Sequence, residues 1–267
     1  MTISILGCGW YGLPLAKDLV AKGYKVNGST TSADKLSVLN ADGITPFLID
    51  LKAETKLNAE FFNADVLVIS IPPKSRTGEG AEYVPKLQRV IDAIKVSPIK
   101  KVVLISSTGV YADLNKIVTE ETDPQPNTPA GKILLEAEQL FSSQTAFKTT
   151  IIRFGGLLGP GRDPGRFFAG KKNIPNGMSP VNLIHLIDCI GIANAVIEHD
   201  IFGYILNGCT PHHPTKADFY TQATAKANLE PPDFVMQLKE WKIVSSTVVN
   251  TLLSYKFKIE NWNDWLQ

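Results

Sequence analysis

The chain has 267 residues, 44% of them hydrophobic, and its 27 basic and 26 acidic side chains leave a formal charge of +1. That length and apolar content support a sizeable core. The near-neutral balance, with no sustained basic run, argues against a nucleic-acid partner. No stretch approaches the roughly 18–20 apolar residues that cross a membrane. The three cysteines, Cys8, Cys189 and Cys209, are too few and too scattered for a disulfide framework or a zinc site. With a strand beginning at Ile3 and no room for a signal peptide before it, a cytoplasmic protein is expected.

Ile3–Leu6 reads as a first strand. Leu13–Ala21 follows as a helix, with Pro14 in its first turn, where a missing N–H costs little, and Gly23 just past its end. Lys25–Gly28 and Pro46–Ile49 read as the next two strands. Val66–Ile71 is a fourth, almost wholly apolar, as expected when helices cover both faces of a sheet. Tyr83–Ile94 is a helix, Lys101–Ser106 a fifth strand, Gly131–Phe141 a helix and Thr149–Phe154 a sixth strand. This alternation predicts an α/β fold, a Rossmann doubly wound parallel sheet with helices on both faces.

After Gly155 the pattern loosens. Residues 155–181 are rich in Gly, Pro and basic side chains and read as a loop region lining a substrate cleft. Asp188–Glu198 reads as a helix with Asp188 as its N-cap, and Tyr204–Leu206 as a strand. A helix over Ala217–Ala227 precedes a Pro231-Pro232 break. The expected organisation is a nucleotide-binding domain over 1–207 and a small C-terminal lobe over 208–267.

Gly7-Cys8-Gly9-Trp10-Tyr11-Gly12 is a G-x-G-x-x-G sequence. It follows a strand and opens a helix, which is the setting its chemistry requires. Gly7 permits the tight turn, Gly9 leaves room for a pyrophosphate, and Gly12 lets the helix pack closely. The helix N-terminus adds N–H groups and a partial positive charge. The motif therefore points to a dinucleotide. An acid at the end of the second strand would bond the ribose 2′-OH of NAD, but this chain has Gly28-Ser29-Thr30-Thr31-Ser32, with Lys35 beyond. No carboxylate occurs before Asp34. Hydroxyls and a cation suit the 2′-phosphate of NADP, which is the preferred cofactor, with NAD the alternative. The expected cofactor contacts are Gly7, Gly9, Trp10, Tyr11, Gly12, Ser29, Thr30, Thr31, Lys35 and Asp50. Asp50, at the end of the third strand, could accept from the adenine amino group, or it could be a plain turn residue.

Three further segments extend the pattern: Ser106-Ser107-Thr108-Gly109-Val110-Tyr111, Arg153-Phe154-Gly155-Gly156-Leu157-Leu158-Gly159-Pro160-Gly161-Arg162, and Asn182-Leu183-Ile184-His185-Leu186-Ile187-Asp188. With the glycine loop they resemble the extended and atypical short-chain dehydrogenase/reductases, the NAD-dependent epimerase/dehydratase type. The resemblance covers most of the first 200 residues in order. It implies a Ser/Thr that orients the substrate oxygen, a Tyr that passes a proton, and a Lys four residues on that holds the nicotinamide ribose. Ser107 matches the serine, with Thr108 as a neighbour, and Lys132 matches the lysine in both its catalytic and its ribose-holding role. The tyrosine position holds Thr128, and no tyrosine in the chain has a lysine four residues later. An unperturbed tyrosine has a pKa of about 10, which a nearby cation brings within reach, whereas a threonine hydroxyl is a far poorer acid. The departure matches the subgroup that lacks the Tyr-x-x-x-Lys pair. Tyr111 is the nearest substitute acid or else a packed aromatic, and Tyr83 is a weaker substitute.

The resemblance also implies a homodimer built on two core helices. Lys74 and Arg76, after the fourth strand, and Arg162, in the later loop, are candidate contacts for an anionic substrate or else solvated side chains. Arg166, Lys171 and Lys172 add to that basic loop. His212-His213 lacks a third ligand for a metal, and His185 reads as structural. Two functions fit the sequence best, with a structural scaffold that uses the fold without cofactor as a third, weaker option. One is an NAD(P)-dependent oxidoreductase, epimerase or dehydratase acting on a small polar or nucleotide-sugar-like substrate. The other is an NADP-binding sensor without turnover.

Overall fold

The computed structural model describes residues 1–52, 55–73 and 78–267. The chain opens with β1 (Thr2–Leu6), α1 (Gly12–Ala21), β2 (Lys25–Thr30), α2 (Leu36–Ala41), β3 (Thr45–Leu48) and β4 (Val66–Ile69). It continues with α3 (Tyr83–Lys95), β5 (Lys101–Ser107), β6 (Lys116–Val118), α4 (Pro129–Ser142), β7 (Lys148–Phe154), β8 (Gly156–Leu158), β9 (Leu183–His185) and α5 (Leu186–Glu198). Last come β10 (Ile205–Gly208), α6 (Lys216–Lys226), β11 (Lys242–Val244), α7 (Thr247–Leu253) and α8 (Trp262–Leu266).

Seven strands form one sheet in the order β10-β7-β5-β4-β1-β2-β3. The registers β1–β2, β1–β4, β2–β3 and β4–β5 are all parallel. The expected Rossmann sheet is therefore present. All four residues of β4 are buried. Leu67 and Ile69 join a cluster with Leu87, Ile91 and Ile94 of α3 and Ala137 and Phe141 of α4. Val66 and Val68 are equally buried and, by the two-residue period of a strand, face the other way. A strand covered on both faces has no solvated side, which is why its sequence shows no polar alternation.

The larger helices begin and end where the sequence indicated, within a residue or two. Pro14 lies in the first turn of α1, which buries Leu15, Ala16 and Leu19. The differences concern short elements. The helices α2, α7 and α8 and the strands β6, β8, β9 and β11 were not expected. The strand pairs β6–β11 and β8–β9 form two small parallel sheets. Three-residue strands carry too little periodicity to be read locally, and they form only where a distant partner supplies the ladder.

The chain divides into two compact units. The first takes Met1–Val110, Pro126–Ile152 and Ala193–Ile205 and carries the α3–α4 core. The second takes Tyr111–Gln125, Arg153–Ile192 and Leu206–Gln267. Its own core gathers Leu158, Leu183, Phe219, Tyr220, Trp262 and Leu266. It thus draws residues from both sides of position 207.

Candidate functional site

The glycine loop joins β1 to α1 in the first unit. Gly7 sits at φ +100°, a left-handed conformation that side chains rarely adopt. A Cβ on Gly7 would lie 2.8 Å from Ile71 Cγ2, and one on Gly12 would lie 2.2 Å from the Gly7 carbonyl oxygen. A Cβ on Gly9 would meet nothing within 4 Å among the described residues. The loop is thus closed on its inner side at Gly7 and Gly12 and open at Gly9. The side chain of the N-cap residue Tyr11 makes no capping hydrogen bond at α1, and the first turn of α1 carries no acid. An uncapped helix start beside open space suits an anion. These residues fit the pyrophosphate of a dinucleotide, and such a cofactor would supply a hydride.

Two serines flank Gly7. Ser29, on β2, is 2% exposed. Its Oγ accepts from the Gly7 N–H at 2.8 Å. Ser70 directly follows β4, and its Oγ donates to the Gly7 carbonyl oxygen at 2.7 Å. Cys8 is buried, which pushes its thiol up to about 12 and leaves it an inert small residue of the turn.

Of the residues expected at the adenosine end, Thr31 and Lys35 are exposed and Thr30 is half-buried. Thr30 Oγ1 accepts from the Ser32 N–H at 3.1 Å. Ser29 is turned inward, to Gly7, because its position on β2 faces the loop. Asp50 is half-buried and accepts from the Lys52 N–H at 3.1 Å, with the Lys52 ammonium 3.7 Å away. It therefore has the geometry of a turn aspartate. Trp10 and Tyr11 both lie in the loop, Tyr11 buried.

Ser107 ends β5 and is half-buried, and Thr108 beside it is buried. Ser107 Oγ accepts from the Gly109 N–H at 3.1 Å. Among the described residues no acceptor takes its own proton. Lys132 is exposed, in the first turn of α4. Thr128, where the family pattern has tyrosine, is the N-cap of α4, and its Oγ1 accepts from the Gly131 N–H at 3.1 Å. Gly131 in turn lets α4 approach the Ser107 loop, since a Cβ there would lie 2.4 Å from the Gly109 carbonyl oxygen.

The tyrosines considered as substitutes are both buried. Tyr83 is buried and its hydroxyl donates to the Ile71 carbonyl at 3.1 Å, while burial pushes its pKa further up. Tyr111, in the second unit, is 2% exposed. Arg153 Nη1 donates to its hydroxyl at 2.6 Å, and the guanidinium lies 4.9 Å from its ring centroid. The Tyr111 hydroxyl lies 3.0 Å from both the Thr119 carbonyl and Asn207 Oδ1. Burial outweighs the arginine and holds the phenol above its ordinary range.

Lys74 and Arg76 lie outside the described residues. Arg162 is exposed, and its N–H donates to the Gly159 carbonyl at 2.8 Å. The rest of the basic loop is engaged locally. Arg166 is 3.9 Å from Asp163, Lys172 is 3.1 Å from Glu230, and Lys171 lies 5.3 Å from the Phe168 ring. His213 Nδ1 is 2.9 Å from the Val181 carbonyl, and His212 Nδ1 accepts from the Trp262 N–H at 3.1 Å. Asp188 is not an N-cap as expected. It lies inside α5, fully buried, and accepts from the Tyr255 hydroxyl and the N–H groups of Lys258 and Ile259. Three donors from one later segment outweigh what a helix start offers.

Two site features escaped the sequence. Ser70 was one, though its being the one polar residue in the apolar run Val66–Ile71 was its signal. Glu138 was the other. It is 2% exposed and accepts from Ser106 Oγ. It falls on the stripe Leu134–Ala137–Phe141, where an acid at helical spacing among apolar residues signals a buried partner.

The family described as NAD(P)H-binding matches residues 7–182 of the chain. The chain belongs to this NAD(P)H-binding family. Protein YeeZ of Escherichia coli K12 is 36% identical over 263 residues, which cover 96% of this chain and 95% of that protein. UDP-glucuronic acid 4-epimerase from Bacillus cereus, solved with NAD, superposes with a TM-score of 0.82 at 20% identity, covering 100% of this chain and 94% of that one. Human epimerase family protein SDR39U1 isoform 2, solved with NADPH, gives 0.77 at 18%, covering 100% and 98%. The chain thus has the NAD(P)-binding fold of the epimerase-type short-chain dehydrogenase/reductases. No helix among the described residues is long and apolar enough to cross a membrane.

Proposed function

We propose that this member of the NAD(P)H-binding family is an NAD(P)-dependent enzyme of the oxidoreductase, epimerase or dehydratase kind. Its substrate is small and polar or nucleotide-linked. The observation that carries the reading is the glycine loop, closed by contact at Gly7 and Gly12 and open at Gly9. The solved relatives bound to NAD and NADPH support it. Ser107 orients the substrate oxygen, because its Oγ is held by the Gly109 N–H while its own proton remains for a ligand. Lys132 holds the nicotinamide ribose. Thr30, Thr31 and Lys35 favour a 2′-phosphate, so NADPH is the preferred form. Its three cysteines are free and buried, which suits the reducing cytoplasm.

Parallel titrations with NADPH and NADH test the reading, followed by hydride transfer on a panel of polar carbonyl and nucleotide-sugar substrates. The expected result is tighter binding of NADPH. Turnover should fall by about a hundredfold in Ser107→Ala, the scale of a lost hydrogen-bond donor to the reacting oxygen, with cofactor affinity kept. Unchanged turnover in that variant removes Ser107 from the mechanism.

A second reading, an NADP-binding sensor without turnover, is favoured by Thr128 serving as a helix cap and by the burial of Tyr83 and Tyr111. Hydride exchange between bound cofactor and any substrate rules it out. Redox-selective binding with no exchange supports it.

A further inference from the structure

The order β4-β1-β2 places β1 between two strands. Each neighbour carries, at or just past its C-terminal end, a serine that reaches the turn after β1: Ser29 within β2 and Ser70 directly after β4. Each serine uses its backbone and its side chain. Ser70 N–H donates to the Leu6 carbonyl at 3.0 Å, and Ser70 Oγ donates to the Gly7 carbonyl at 2.7 Å, with the Leu6 carbonyl 3.2 Å away. On the other side, Ser29 Oγ accepts from the Gly7 N–H and the Ser29 carbonyl accepts from the Cys8 N–H, both at 2.8 Å.

Two successive peptides are therefore pinned at both ends. The Leu6–Gly7 peptide has its oxygen on Ser70 and its N–H on Ser29. The same is true of the Gly7–Cys8 peptide. The Gly7 oxygen also accepts from the Gly9 N–H at 2.8 Å. A glycine at positive φ has no side chain to hold it, so its flanking peptides rotate more readily than others. A rotated Gly7–Cys8 peptide would turn a carbonyl oxygen toward the open side of the loop, where it would repel a phosphate.

We propose that Ser29 and Ser70 are positioning residues for the dinucleotide, locking the Leu6–Gly7 and Gly7–Cys8 peptides in the orientation that admits a pyrophosphate beside Gly9. The inference rests on the proposed cofactor binding and reassigns Ser29, which acts through Gly7 and does not touch the ligand. The serines work by preorganisation: ordering the loop before binding removes that cost from the affinity.

The test compares Ser29→Ala and Ser70→Ala with wild type by hydrogen exchange of residues 7–12 in the free protein. It adds titrations with NADPH, NADH and 2′-AMP, which lacks the pyrophosphate. Val103→Ala, a truncation of a fully buried β5 side chain away from the loop, is the control for general loosening. Each serine variant should exchange faster in the loop and bind NADPH about three- to tenfold more weakly, the range of one neutral hydrogen bond. Affinity for 2′-AMP should be unchanged. Should Ser29→Ala fail to fold, Ser70→Ala, half-buried and beyond the strand end, decides alone. Unchanged exchange and affinity overturn the inference. So does an equal loss for 2′-AMP, or the same NADPH loss in Val103→Ala. A wild-type protein that binds neither cofactor overturns the proposed function and this inference together. A wild type that binds, with serine variants to match, overturns this inference alone.

Discussion

Thr128 Oγ1 accepts from the Gly131 N–H at 3.1 Å and so caps the helix that carries Lys132. The position that the family pattern gives to a proton-passing phenol has a structural task here. Thr128→Ala should cost about 1 kcal/mol of stability, the usual worth of such a cap, and Thr128→Ser almost nothing. Thr128→Tyr should lose the cap like Thr128→Ala. Urea unfolding of the three variants checks this, and equal stability of Thr128→Ala and wild type would remove the capping role.

Gly9 and Gly12 separate binding from folding. An alanine methyl at Gly9 enters open space, so Gly9→Ala should keep the wild-type unfolding midpoint while NADPH affinity drops by at least about tenfold through collision with the pyrophosphate. At Gly12 the methyl would sit 2.2 Å from the Gly7 oxygen, and Gly12→Ala should lose about 1–3 kcal/mol, as overpacked sites do. Thermal unfolding beside a fluorescence titration reads both. A Gly9→Ala protein that binds NADPH as tightly as wild type would place the pyrophosphate elsewhere.

Tyr111→Phe keeps the ring beneath the Arg153 guanidinium but removes the hydroxyl to which Arg153 Nη1 donates. The cost should be about 1–3 kcal/mol, the scale of a buried charged donor losing an acceptor. Denaturant unfolding measures it. A pH–rate profile that shifts in Tyr111→Phe without loss of stability would instead return Tyr111 to the chemistry.

His185 and His213 make stability depend on pH. Burial lowers both imidazoles below the ordinary value of about 6.5, against a raising influence from Asp188 on the first and the Val181 carbonyl on the second. Between the folded and unfolded values the unfolded chain binds more protons. Stability is therefore complete above pH about 6.5 and declines as the pH falls through it toward the lower folded values. His185→Asn keeps an acceptor for the Ile187 N–H, which His185 Nδ1 now takes at 3.2 Å, and should flatten the decline. Unfolding midpoints at pH about 7.5 and about 5.5 decide it; an unchanged slope would clear His185 of the effect.

The sheet and its long helices were legible because they follow local rules. Val66–Ile71 could be read as a doubly covered strand from its almost wholly apolar run, of which Val66–Ile69 forms the ladder, and Pro14 and Gly23 bracket α1. The small sheets were not legible, since Lys116 pairs with Lys242 across nearly half of the chain. At the site, the glycine spacing revealed the loop's curvature and its opening. It did not reveal which way the Ser29 side chain points, because a serine at a strand end serves a ligand or the neighbouring turn equally well. Asp188 misled for a similar reason: an acid early in a helix resembles a cap until the Tyr255–Ile259 segment folds back onto it.

The interleaving of the two units has a consequence for synthesis. Every segment of the first unit has left the ribosome's active centre once Ile205 is added, so the nucleotide-binding loop can find its sheet while translation continues. The second unit must hold Tyr111–Gln125 and Arg153–Ile192 in waiting until the segment from Leu206 emerges to supply β11, α6 and α8.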